Sequence, residues 1–101
     1  MTPFSKIQRV FEEGVTKAKG AFNTRGATAQ RIKKTEDAII ELNLGTTSGA
    51  KPNFISTFEV KSPTRAKIGF VEGGGKNAIQ IFIDKKDFEN LIEIERLPLE
   101  K

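Results

Sequence analysis

The sequence predicts an α+β fold: an N-terminal amphipathic helix, a basic linker, a four-stranded antiparallel sheet and a C-terminal helix. Three observations carry this expectation. Apolar residues recur at three-to-four spacing from Phe4 to Ala18, and the period changes to two after Ala38. Helical spacing returns between Asp84, a capping residue, and Pro98, a stop. The 101 residues suffice for one domain with a single modest core. Residues 1–35 read as the N-terminal helix and basic arm, and 36–101 as the sheet plus C-terminal helix.

At the start, Thr2 can cap and Pro3 suits a first helical position, with Phe4, Ile7, Val10, Phe11, Val15 and Ala18 on the apolar side. Gly20 is placed to end this helix. Residues 15–34 contain no acid and six cations among Ala, Gly and Thr, the composition of a mobile basic arm. Ala38, Ile40, Leu42 and Leu44 then alternate with Ile39, Glu41 and Asn43 as a strand. A polar loop follows at 45–53. The second strand alternates Phe54, Ser56, Phe58 and Val60 with Ile55, Thr57, Glu59 and Lys61. The third carries Ala66, Ile68 and Phe70. The fourth, 77–83, is apolar on both faces, as in a strand packed between layers or covered by a partner. Phe88, Leu91, Ile92 and Glu95 share one face of the closing helix.

Composition narrows the function. No stretch approaches the ~18 apolar residues of a membrane span, and Met1-Thr2-Pro3-Phe4 lacks a secretion-signal pattern, so an intracellular protein is expected. Cysteine and histidine are both absent, which removes thiolate chemistry, cysteine zinc sites and the commonest general base. No enzyme, cofactor or metal is expected on these grounds. The net charge of +4 is blocked: residues 1–35 hold eight Lys/Arg against two acids, and residues 61–86 hold six against two.

Three motifs compete for function. Gly73-Gly74-Gly75-Lys76 suggests a phosphate loop, but the first glycine of a P-loop would fall at Phe70, and a strand follows instead of a helix. The glycines read as a hairpin turn. Glu59-Val60-Lys61 has the acid–x–lysine spacing of restriction-type nucleases, with Asp37 and Glu12 or Glu13 as further carboxylates; a solvated strand face gives the same pattern. Finally, Lys17, Lys19, Arg25, Arg31, Lys33 and Lys34 in the arm, with Lys61, Arg65, Lys67 and Lys76 around the sheet, form a footprint for a phosphate backbone. Phe22 and Phe82 are the aromatics free to stack on bases.

The stretches "AIIELNLG", "NFISTFEVKS" and "AKIGFVEGGGKNAIQIFIDKKDFENLIEIERL" resemble, in topology and spacing over residues 38–97, the repeat unit of Whirly-type and transcriptional-coactivator-type single-strand DNA binders. The resemblance implies pairing through the closing helix and a curved sheet that binds DNA through Lys61, Arg65, Lys67 and Lys76, assisted by the basic arm. The expected function is therefore sequence-independent binding of single-stranded nucleic acid. A homodimer is expected, covering Phe82, Ile94 and Leu97. The alternatives are an interaction or assembly module, of viral or plasmid accessory type, docking a protein partner through its N-terminal helix, and a metal-dependent nuclease.

Overall fold

The computed structural model describes residues 1–44 and 51–100; most of the polar loop expected at 45–53 lies outside the described residues. The strands are β1 (Lys6–Phe11), β2 (Phe22–Asn23), β3 (Phe54–Val60), β4 (Lys67–Phe70), β5 (Ile79–Phe82) and β6 (Leu91–Pro98). Two short helices, α1 (Gly26–Gln30) and α2 (Thr35–Glu41), separate β2 from β3, and a 3-10 turn over Lys85–Asn90 precedes β6. The strands form two three-stranded antiparallel sheets, ordered β1-β3-β6 and β2-β5-β4.

The main core lies between the sheets. Ile7, Phe58, Val60 and Leu91 from the first meet Ile81 and Ile83 from the second, all nearly sealed from solvent. A smaller cluster of Ile32, Ala38 and Leu99 packs with Val10, Leu42 and Ile55, seating α2 on the first sheet. The sheets are tied by backbone as well. Gln8 and Thr24 exchange two hydrogen bonds of 2.7 Å. The buried Thr24 hydroxyl donates to the Ile79 carbonyl (2.7 Å), and the Thr28 hydroxyl accepts from the Ile79 N–H (3.0 Å).

This architecture corrects the expected one at both ends and in the middle. The N-terminal helix is instead β1. Ile7 and Phe11 lie four apart, which suits a helix, but they also share one side of a strand, and β3 supplies the partner. Ile7 pairs with Phe58 and Phe11 with Phe54, the two phenylalanine rings stacking at 5.9 Å. The C-terminal helix is likewise replaced. Asp84 does cap a turn, accepting from the Lys86 N–H (3.2 Å), but "LIEIERLP" alternates and pairs with β3 from Val60↔Leu91 to Phe54↔Pro98. With β1 and β6 on its two edges, β3 never meets β4, so no four-stranded sheet forms.

The strand expected from Ala38 is α2. Ala38 and Leu42 lie one helical turn apart on its buried side, and the Asp37 carboxylate accepts the Lys33 and Lys34 N–H groups at 3.0 Å each. Those two bonds hold Asp37 below the usual carboxylate range. The basic arm is also ordered: Asn23, Thr24 and Thr28 are buried, and the segment contributes β2 and α1.

Candidate active site

A cleft of about 560 Å³ opens where the two sheets and the end of α2 converge. This is within the usual size of a small-molecule site. β1 supplies Gln8, Arg9, Val10 and Phe11; β2 supplies Phe22 and Asn23; β5 supplies Gln80; Leu42 and Asn43 follow α2, and Val71 and Glu72 follow β4. The lining is mostly apolar with a few polar groups set into it.

Arg9 is the only guanidinium among these lining residues. Its Nε donates to the Lys17 carbonyl (3.3 Å) and its Nη1 to the Phe22 carbonyl (3.1 Å). Among the described residues no carboxylate pairs with it, and burial pushes the guanidinium below its ordinary value. A partly buried cation ordinarily has an acid beside it. Here five N–H donors meet two carbonyls, leaving donors for an anion. The side chain is held in place by Gly20: a Cβ there would lie 2.1 Å from the Arg9 Cζ. Ser56, opposite Arg9 on β3, donates to Glu93, which Arg96 grips through two bonds of 2.9 Å. Arg96 holds Glu93 below the usual carboxylate range and lies 5.1 Å above the Phe11 ring, fixing that wall of the cleft.

On the opposite wall, Gln80 is the one polar side chain of "AIQIFI". Strand alternation puts Ile79 and Ile81 on the other side of β5 from Gln80 and Phe82. Phe82 is paired with Phe22, whose half-exposed ring meets it edge-on at 5.6 Å. Two buried amide oxygens, Gln8 Oε1 and Asn23 Oδ1, have no partner among the described residues. The Asn23 amide cannot turn over to relieve this, because its Nδ2 donates to the Gly20 and Ala21 carbonyls (3.0 and 3.3 Å).

The glycine run shapes the third side. It forms the turn between β4 and β5 and packs against the end of α2. Gly73 has a φ of 73°, open to glycine without strain. A Cβ on Gly74 would sit 2.3 Å from the Glu41 carbonyl oxygen, and one on Gly75 2.1 Å from Glu41 Oε2. The contact is sealed by Gly75 N–H to Glu41 O (3.1 Å) and Asn43 Nδ2 to the Glu72 carbonyl (3.0 Å). The three glycines thus press Val71 and Glu72 onto the cleft.

The cations expected to bind nucleic acid are dispersed. Arg25, Arg31 and Lys76 share a second, more polar hollow with Glu41, where Arg31 is spent on Glu41 through two bonds of 3.0 Å. Lys17, Lys19, Lys33, Lys34, Lys61, Arg65 and Lys67 are exposed, and none of them lines the cleft. The carboxylates of the nuclease reading are separated too. Asp37 caps α2, Glu12 accepts from the Lys51 N–H (3.3 Å) and Glu13 faces Arg96 (3.8 Å). No group of three acidic side chains able to hold a metal ion occurs among the described residues. Sequence reasoning passed over Arg9 and Gln80. Gln80 is the lone polar residue of "AIQIFI", and that isolation is the signal that marks it; Arg9 sits beside Gln8 in "IQRVF" and carries no such signal.

Neither a protein-family model nor a curated protein sequence matches this chain. Two solved structures do. The chain is similar over its whole length to Rhs1-CT, solved in complex with its cognate immunity protein RhsI1, with a TM-score of 0.77 and 14% identity, covering 79% of that chain. It is also similar over 99% of its length to Tne2, solved in complex with Tni2, with a TM-score of 0.70 and 19% identity, covering 88% of that chain. These matches overturn the resemblance to Whirly-type DNA binders, and with it the nucleic-acid-binding function, the non-enzymatic assignment and the nucleic-acid and homodimer partners. The fold is that of domains solved bound to a partner protein, one of them a cognate immunity protein.

Proposed function

We propose that this chain is an interbacterial toxin domain that hydrolyses the nicotinamide–ribose bond of NAD+ and is neutralised by a cognate immunity protein. The observation that carries the reading is the pairing of an acid-free Arg9 with Gln80 across a largely apolar cleft. The whole-chain likeness to two domains solved in complex with a partner, one of them a cognate immunity protein, supports it.

The chemistry suits a chain without histidine or cysteine. Nicotinamide leaves as a neutral molecule, because the ring nitrogen begins as a cation and takes the bonding electron pair with it. No general acid is needed. The ribosyl C1′ becomes electron-poor, a water oxygen bonds to it, and the proton passes to solvent, giving ADP-ribose and nicotinamide. What the protein must supply is orientation and electrostatics. Arg9 provides charge-assisted donors for the diphosphate. The Phe22 ring offers a stacking surface for the aromatic ring. Gln80 offers an amide that binds a ribose hydroxyl and orients the sugar for attack.

The direct test is incubation of the purified chain with NAD+, with free nicotinamide as the readout; release well above the rate in buffer is expected. Absence of release, with intact fold by circular dichroism, sinks the reading. Gly20→Ala sharpens it. The added methyl group collides with the flexible end of Arg9, so the fold should melt near the wild-type temperature while kcat/KM falls about tenfold, as expected for a displaced charged hydrogen bond.

A further inference from the structure

We propose that Gly69 sets the specificity of this cleft: the space its missing side chain leaves beside Gln80 is filled by the nicotinamide–ribose end of the substrate. The inference rests on the NAD+ reading above and names the position that decides which molecule reaches Gln80. Gly69 sits inside β4, directly opposite Gln80 in the antiparallel ladder. Directly opposed residues project to the same side of a sheet. A side chain at Gly69 would therefore stand next to the Gln80 amide.

Neither backbone nor packing calls for glycine here. The residue is not among those with positive φ, and a Cβ built on it meets no atom within 4 Å. The other glycines of this wall differ, since Gly74 and Gly75 are pressed against Glu41. Glycine also weakens a strand interior, where a β-branched residue is favoured. Gly69 is exposed on the edge strand of its sheet, and a glycine in a strand interior leaves room for a ligand to approach the backbone closely. The pair Lys67↔Phe82, two residues along the ladder on the same side, sets an exposed cation and an aromatic ring next to the bare position, just outside the lining of the cleft. That set suits a phosphorylated, ring-bearing ligand.

The test is a graded series, Gly69→Ala, Gly69→Val and Gly69→Leu, assayed on NAD+ beside the wild type, with melting temperatures for each. The expected result is a KM that rises with side-chain size, about tenfold for alanine and more than about 100-fold for valine and leucine. Melting temperatures should be equal to or above the wild type, since a strand position gains from a side chain. Equal kcat/KM in all four proteins overturns the proposal. So does a fall in melting temperature for both alanine and valine, which shows that packing and not ligand space requires the glycine. An inactive wild type removes the NAD+ reading itself, whereas an active wild type with indifferent variants removes only the role of Gly69.

Discussion

Gln80→Ala is expected to cut NAD+ turnover by about 10²–10³-fold while the protein melts close to its wild-type temperature. The size follows from losing one preorganised polar contact to the reacting sugar. Stability should hold because Gln80 faces the cleft while its neighbours Ile79 and Ile81 keep β5 in the core. Gln80→Glu separates charge from shape: it preserves size and adds a carboxylate near the developing positive charge, so it should retain more activity than alanine. Arg9→Ala provides a contrast. Its loss should appear mainly in KM, by about 10–100-fold, because a charged contact to the diphosphate exists in both ground and transition states. Equal, small effects of both substitutions would place the chemistry elsewhere.

Phe58→Ala is expected to destabilise the fold by about 3–5 kcal/mol, the usual result of emptying a fully buried aromatic position. Phe58 is 0% exposed, lies on the central strand of its sheet, and contributes to the core between the sheets. For a domain of this size each kcal/mol moves the melting temperature by about 4–8 °C, so much of the population should be unfolded at 37 °C. Ile92→Ala on the edge strand is the control: with half its surface already in water, it should cost far less. Urea denaturation of both variants measures the difference directly.

Half of the strands were legible in the sequence and half were not, for a physical reason. Residues 54–60, 67–70 and 79–82 alternate cleanly or are continuously apolar, and local pattern decides them. Ile7 and Phe11, and likewise Leu91 and Glu95, lie four apart and satisfy helical spacing as well as strand parity. Their state is chosen by β3, a partner distant in sequence, and no local window contains that information. The reverse holds for residues 35–41, where an apparent alternation running from Ala38 to Leu44 hid a helix fixed by the Asp37 carboxylate. The candidate site was obscured by charge. Runs of lysine mark the surface, whereas Arg9 lies inside a strand, and only tertiary contacts reveal that a partly buried guanidinium there has no acid beside it among the described residues.

The position of β3 between β1 and β6 has a consequence for the cell that makes this protein. A chain leaving the ribosome presents β1 early, but the sheet that carries Arg9 is completed only when Leu91–Pro98 arrives to close its other edge. Such long-range pairing is slow, because chain entropy must be overcome before the contacts form. A nascent or truncated product ending before β6 leaves Phe58 and Ser56 uncovered on one side and cannot hold the cleft. The strand order thus acts as a delay: the sheet that carries Arg9 is complete only once synthesis has passed the sixth strand.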